Sequence, residues 1–259
     1  MSNTRSVLVV SAVLLFSCFA FSETAAGIIA RAKENSAKAQ EKIKDLKIVS
    51  TAVMEMQGRK MTVRSVIFQK DKKIRIEATS TLPGTKDEME TVMLYDGKTT
   101  WMISPMAGKQ QKEGKAIGLN TISEEEEWWT KVAPDIELKG EEKAVGMECY
   151  VLESKSSKDI SKIWIGKKDL VLVRAVGEDA QSGKFEVESS EFKDVGFGWM
   201  LANKTNMKTD GGVLMNNSVL SVEVNKGLKD DIFEAGNVDP SKLKMPKLDG
   251  FPGGGIVNP

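Results

Sequence analysis

The stretch Val92–Pro105, VMLYDGKTTWMISP, indicates the fold class of this 259-residue chain. Two short apolar runs flank Asp96-Gly97, a residue pair that tolerates positive φ and is typical of the tight turn of a β-hairpin. Trp101 follows five residues after Asp96. The stretch therefore predicts two antiparallel strands joined at this turn.

Further strand patterns lie on both sides of the hairpin. In Ile74–Ser80, apolar side chains alternate with charged or polar ones, as in a strand with one buried and one solvated face. Lys47–Met56 and Met61–Gln69 come earlier, and seven further runs follow between residues 136 and 224. Together these runs predict eleven or twelve strands. Because strands and helices do not alternate, we expect a mainly β (α+β) fold with an antiparallel, barrel-like sheet.

Two stretches have helical patterns. Thr24–Leu46 is rich in alanine, lacks proline and repeats apolar residues at helical spacing. The second runs from Ser123, which is suited to an N-cap and precedes four glutamates, to Pro134. It carries Trp128 and Trp129. These two rings could form a lid over a pocket, pack against the sheet or contact a partner.

The first 22 residues have the pattern of a signal peptide. Arg5 is their single charge, and Val7–Phe16 is a mainly apolar run in which Ser11 is the one polar residue. This run is too short to span a bilayer. Cleavage after Ser22 would leave an exported chain that starts at Glu23. Alternatively, Leu15-Phe16-Ser17-Cys18 is a loose lipobox, and acylation of Cys18 would give a membrane-anchored lipoprotein.

The remaining chain divides into one predicted domain and a tail. No apolar run after residue 22 is long enough for a membrane-spanning helix. Residues 249–259 are rich in glycine and proline, a composition that we expect to be disordered. Residues 23–248 therefore form one predicted domain.

The composition argues against several classes of function. The chain contains no histidine, which excludes imidazole zinc sites and Ser-His-Asp or Cys-His catalysis. No carboxylate pair has a recognisable catalytic spacing. Cys149 lies in a strand-like run, where we expect a small buried apolar side chain. We therefore expect no enzyme activity, no metal site and no cofactor.

The charges are balanced, with 37 basic and 37 acidic residues. A surface that binds nucleic acid is normally strongly basic. We therefore expect no nucleic-acid partner. Methionine, in contrast, is frequent. Twelve methionines follow Met1, and they include Met54, Met56, Met93, Met102, Met106, Met200, Met207 and Met215. These flexible side chains suit either an ordinary sheet core or a pocket for variable ligands.

Three segments resemble the LolA-like family of periplasmic outer-membrane lipoprotein carriers and sorting proteins. The first is Asp96–Pro105, DGKTTWMISP, in the opening hairpin. The second is Ile163–Leu170, IWIGKKDL, and the third is Val222–Phe233, a strand that ends in DDIF. The order of signal peptide, amphipathic helix, strands, lid helix and further strands also matches, over Glu23–Glu234.

This resemblance implies that residues 23–248 are a lipid-binding domain. Its expected fold is an incomplete antiparallel β-barrel of about 11 strands with helices covering the concave side. An apolar cavity between sheet and helices would receive acyl chains, whose exposure to water costs about 0.8 kcal/mol per CH₂. The implied partners are an acylated lipoprotein or lipid, and envelope membrane proteins as donor or acceptor. The residues expected to line the cavity or form its lid are Ile74, Ile76, Leu94, Trp101, Ile103, Trp128 and Trp129.

One turn departs from the family pattern. Carriers of the family have an arginine beside a proline in the turn before the third strand, where it holds the lid closed. The corresponding turn here is Lys70-Asp71-Lys72-Lys73, and the nearest arginine is Arg75, inside the strand. Two functions remain open on this basis: a carrier that shelters acyl chains for transfer toward the outer membrane, and a lipid-sensing or regulatory interaction protein of the cell envelope.

Overall fold

A single antiparallel sheet dominates the structure, a computed structural model that describes residues 23–56, 58–81, 84–114, 135–157, 159–179 and 183–246. One α-helix, α1 (Ala25–Gln40), precedes the sheet. The strands are β1 (Asp45–Met56), β2 (Arg59–Lys70), β3 (Lys73–Thr81), β4 (Glu88–Tyr95), β5 (Thr99–Ser104), β6 (Gly108–Glu113), β7 (Glu137–Ala144), β8 (Met147–Glu153), β9 (Lys162–Gly166), β10 (Leu172–Asp179), β11 (Gly183–Asp194), β12 (Met200–Thr209) and β13 (Leu214–Val224).

The sheet is open. Its spatial order is β6-β5-β4-β3-β2-β1-β13-β12-β11-β10-β9-β8-β7, so that β1 and β13 meet in the middle and β6 and β7 form the two edges. This confirms the expected fold class, an incomplete antiparallel barrel with a helix on one side. The sheet has one strand more than the upper expected count. That strand is β6, whose sequence GKQQKE lacks apolar alternation.

The Asp96-Gly97 hairpin forms as predicted. Gly97 has φ +101°, and the oxygens of Asp96 accept hydrogen bonds from Lys98 N (2.9 Å), Thr99 N (2.8 Å) and Trp101 Nε1 (3.2 Å). Partial burial acts to raise the pKa of Asp96, but these hydrogen bonds outweigh burial and leave the pKa below its usual value. The motif DGKTTW is thus a hairpin cap.

Helix α1 begins where the sequence predicts and ends earlier. The Thr24 hydroxyl accepts from Gly27 N at 3.1 Å, as in an N-cap. The helix stops at Gln40, and the prediction that it continues to Leu46 is wrong. Asn225 explains the early end: its side chain accepts from Lys44 N (2.7 Å) and donates to Lys42 O (2.9 Å). These backbone groups are therefore bound to the end of β13.

Helix α1 packs on one face of the sheet, here called the helix face. Near its start, Ile28 and Ala32 are buried against a cluster that includes Leu152 and Ile163 of β8 and β9. Near its end, Ala39 packs with Leu46 of β1 and with Trp199. The helix therefore crosses the sheet diagonally from β8–β10 toward β1.

The C-terminal segment 230–246, here called the strap, covers part of the opposite face. It contains three short 3₁₀ helices, Asp230–Phe233, Ala235–Asn237 and Pro240–Lys242. Val238 of the strap is buried against Val92 and Ile103. Ion pairs join Asp230 to Lys70 (3.0 Å) and Lys73 (2.9 Å), and Lys244 to Glu88 (2.9 Å). The two covering elements thus lie on different faces of the same sheet.

Three predicted features fall on residues outside the described part of the chain: the signal segment 1–22, the tail 249–259 and the lid helix with Trp128 and Trp129. In the described part, no helix is both long enough and apolar enough to span a bilayer.

Candidate functional site: the apolar helix face of the sheet

Four methionines lie side by side on the helix face. Met61 of β2 pairs with Met54 of β1, Met54 with Met215 of β13, and Met215 with Met207 of β12. Directly paired residues point to the same face and have Cβ atoms about 5 Å apart. All four are half-buried. We call this set the methionine row.

The methionine row continues into the core beneath α1. Met207 pairs with Val187 of β11, which pairs with Ala175 of β10. Ala175 pairs with Ile163 of β9, and Ile163 with Leu152 of β8. Ala175, Ile163 and Leu152 are buried. An unbroken line of apolar side chains therefore leads from the buried contact with α1 to a half-exposed region.

A second apolar row runs parallel to the first. Met102, Met93, Ile76, Ile67 and Ile48 are neighbours across β5, β4, β3, β2 and β1. Between the two rows, the side chains on the same face are mostly small; they include Ser50, Ala52, Ser65, Ala78 and Ser80. Long side chains along two lines and short ones between them form a trough with flexible, apolar walls.

This part of the helix face carries no charge. On β1 from Leu46 to Met54, and at the residues paired with that face on β2 and β13, every side chain is apolar or a neutral polar one. The opposite face of the same strands carries Lys47, Glu55, Arg64 and Glu223. An acyl chain on the helix face would therefore displace water without stripping solvent from a charge.

The structure divides the predicted site residues between the two faces. Ile74 and Ile76 lie on the helix face, where Ile76 belongs to the second row. Leu94, Trp101 and Ile103 share the opposite face, where Ile103 and Trp101 pack with the strap. Of these five residues, only Ile74 and Ile76 therefore remain candidates for lining a cavity on the helix face.

Arg75 also lies on the opposite face. Its Nη1 donates to Ile232 O of the strap at 2.8 Å, and its Nε donates to Glu77 Oε1 at 2.8 Å. The nearest arginine to the family's turn thus fastens the strap, on the side of the sheet away from α1.

Sequence reasoning identified most of the methionines but missed Met61. Of the methionines named from the sequence, Met54, Met93, Met102, Met207 and Met215 lie on the helix face. Met106, in contrast, lies in the exposed turn after β5. The turn expected at residues 57–60 would place Met61 opposite Met56. In the structure Arg59 already pairs with Met56, so that Met61 lies opposite Met54.

A small cavity lies between α1 and the sheet. It has a volume of about 170 Å³ and is lined by Ala32 of α1, by Leu170 and Leu172 at the start of β10, and by Trp199 and Leu201 at the start of β12. Its lining is mostly apolar. The helix therefore does not fill all the space above the sheet.

Cys149 is fully buried, which confirms the prediction of a small core side chain. Burial raises the pKa of its thiol, and the nearby carboxylates of Glu148 and Glu142 act in the same direction. The thiol is thus kept protonated and away from solvent. Within the described ranges, no group of three His, Cys, Asp or Glu residues could hold a metal ion.

Known proteins resemble this chain in fold. A family model described as a domain of unknown function, DUF4412, matches residues 50–233. A comparison with curated protein sequences gave no match.

Two solved structures align over most of their length. A domain named for outer membrane lipoprotein sorting, from Vibrio parahaemolyticus, is 14% identical with a TM-score of 0.54; the alignment covers 80% of this chain and 96% of that one. A LolA superfamily protein from Nitrosomonas europaea is 16% identical with a TM-score of 0.52, covering 80% and 99%. The expected LolA-like fold is confirmed.

Proposed function

The chain belongs to the DUF4412 family, and we propose that it binds lipid or the acyl chains of a lipoprotein on the helix face of its open sheet. The observation that carries the proposal is the methionine row beside a surface without charge. The LolA-like fold of the chain supports the same function. Ile74 and Ile76 are the proposed lining residues among those expected from the sequence.

The physical requirements of such a protein match the trough. An acyl chain is held in water only if most of its CH₂ groups are covered, at about 0.8 kcal/mol each. Methionine has three rotatable side-chain bonds and a polarisable sulfur, so it adapts to chains of different length and saturation. The gradual passage from the core under α1 to the half-exposed methionines would let a chain slide beneath the helix.

We further propose that the protein is a non-enzymatic carrier in the periplasm. The predicted signal segment supports export, and the Vibrio domain named for lipoprotein sorting supports transfer toward the outer membrane. Its partners would be the acylated cargo and membrane proteins of the envelope that deliver or accept it. Trp128 and Trp129 remain the proposed lid.

Mass spectrometry under native conditions tests this function on protein purified from its own envelope. The wild-type protein should carry a bound mass that tandem fragmentation identifies as lipid or acylated peptide. Met54→Glu should lose most of that mass, because it places a charge in the trough. Val53→Glu is the matched control: it is the neighbouring residue on the opposite face and should retain the cargo.

Three results would contradict the proposal. Wild-type protein that is empty from every envelope preparation rules out stable carriage. Equal cargo in the Met54→Glu and Val53→Glu variants places the ligand elsewhere. If Met54→Glu fails to fold, the milder Met54→Gln should still lower the bound fraction below that of Val53→Gln, with thermal unfolding as the check on folding.

A further inference from the structure

Several loops meet at one end of the sheet. The start of β1 pairs with the ends of β2 and β13, and the end of β11 pairs with the start of β12. The same register continues through β8, β9 and β10. The connections 41–44, 71–72, 96–98, 145–146, 167–171, 195–199 and 225–229 therefore lie at this end, here called the basic end.

Two large apolar side chains are exposed at the tips of these loops. Phe197, between Gly196 and Gly198, is 51% exposed, and Val145 is 41% exposed. Both have left-handed backbone conformations, with φ +61° and +48°, which are unfavourable for bulky or β-branched residues. The chain thus holds two apolar side chains out into solvent, at positions where Asn or Gly would fit the backbone better.

The charges around these tips are mostly positive. The seven connections named above contain eight lysines and four acidic residues. One of those acids, Asp96, caps its own hairpin. The described connections at the other end of the sheet contain two lysines and three acids. Lys168 and Lys226 are exposed and form no ion pair with a described residue.

The cavity beneath α1 adjoins this end. Gly198 and Trp199, next to Phe197, are among its lining residues, and so are Asp169, Leu170 and Val171 of the connection 167–171. The loops that carry Phe197 and Lys168 therefore also border the space between the helix and the sheet.

We propose that the basic end docks on the surface of an anionic lipid bilayer. Phe197 and Val145 enter the interface, and the surrounding lysines meet the headgroup phosphates. Separate apolar tips set among lysines fit a bilayer better than a protein partner, which would favour one continuous apolar patch. This inference rests on the proposed lipid-binding function for its purpose, because docking would bring the cavity beside Phe197 to the source of acyl chains.

Vesicle flotation tests the docking surface with the full-length exported chain. Every protein tested carries Cys18→Ala, so that acylation cannot anchor it. Wild type should float with vesicles of phosphatidylethanolamine and phosphatidylglycerol and only weakly with phosphatidylcholine vesicles. Added salt should weaken its binding, since the lysine contribution is screened.

Phe197→Asn removes the ring and suits the left-handed backbone. It should lower the affinity for anionic vesicles about tenfold, the loss expected from one aromatic side chain withdrawn from the interface. Met106→Asn is the matched control, because Met106 is 62% exposed in the turn at the other end of the sheet. It should bind as wild type does. Lys168→Glu with Lys226→Glu should also weaken binding and reduce its salt dependence.

The docking proposal and the carrier proposal can be contradicted independently of each other. Unchanged flotation of Phe197→Asn, or equal wild-type binding to neutral and anionic vesicles, overturns the docking surface. Native mass spectrometry of Phe197→Asn should still show bound cargo. Vesicle binding that depends on Phe197 in a protein without any cargo would support docking and contradict the proposed function.

Discussion

The apolar row across the sheet has two ends that differ in how they are covered. At Leu152, Ile163 and Ala175 it is buried beneath α1. The same strands are packed on their opposite face too, by a cluster that contains Cys149 and Trp164. We call β8–β10 the packed region. At the methionine row, in contrast, the side chains of β1, β2, β12 and β13 are half-exposed. We call this end of the four strands the open region.

The amino acids of the apolar row also differ between the two regions. In the packed region the row consists of Ile, Ala and Leu, whose few rotamers suit a close-packed interior. In the open region it consists of methionines, which fill irregular space and change shape at little cost. The same line of side chains thus provides a rigid base for α1 and an adaptable surface beyond it.

Truncating one side chain in each region should show the largest difference between them, measured as the loss in the free energy of unfolding. Ile163→Ala removes a fully buried side chain and should lower the free energy of unfolding by about 3 kcal/mol. Met54→Ala, in the same row but half-exposed, should cost about 1 kcal/mol. Urea unfolding followed by tryptophan fluorescence measures both. Equal losses would show that the open region is packed as tightly as β8–β10.

A substitution at Gly177 tests how closely β10 packs against its neighbours in the packed region. A Cβ at this position of β10 would lie 1.9 Å from Asp159 O, so Gly177→Ala must displace the backbone there. We expect a loss of about 2 kcal/mol in the free energy of unfolding. Gly236→Ala in the strap is the control, since its Cβ meets no atom within 4 Å. A Gly177→Ala protein as stable as this control would contradict the close fit.

The Asp96 hairpin, which begins two strands beyond the open region, should show a small effect that depends on pH. Asp96→Ala removes three hydrogen bonds and should cost about 1 kcal/mol near neutral pH. Because folding lowers the pKa of Asp96, its contribution is fully present above the unfolded-state pKa. It is lost as the pH falls through the lower, folded-state pKa.

Denaturant unfolding at several pH values measures this effect as the stability difference between wild type and Asp96→Ala. The difference should shrink as the solution is made more acidic. Asp87→Ala is a suitable control, because the Asp87 side chain forms no hydrogen bond with a described residue. A difference that stays constant with pH would show that the carboxylate charge does not stabilise the hairpin.

Local sequence signals were sufficient for every strand except β6 and for the start of the helix. The alternation in Ile74–Ser80 depends only on the pleat of one strand, and the Thr24 cap on one hydroxyl beside one backbone amide. The same alternation groups Ile74 with Ile76, but it does not show that Leu94 and Ile103, expected in the same cavity, lie on the other face. It cannot tell which face α1 covers, because that depends on contacts between elements.

Features that were not predicted from the sequence depend on contacts between distant parts of the chain. The end of α1 is determined by Asn225, more than 180 residues after Gln40 along the chain. The pairing of Met54 with Met215 likewise depends on β1 meeting β13 at the centre of the sheet. The strand β6 has no apolar pattern because it is an exposed edge, where polar and charged side chains discourage pairing with other chains.

The junction at Asn225 connects the elements that cover the two faces. Asn225 binds the backbone at Lys42 and Lys44, and the buried Asp45 carboxylate accepts from Lys226 N (2.8 Å) and Gly227 N (2.9 Å). Helix α1 leads into this junction and the strap leaves from it. A movement that lifts the end of α1 from the sheet must therefore break these bonds or pull the root of the strap with it. The helix and the strap share one hinge.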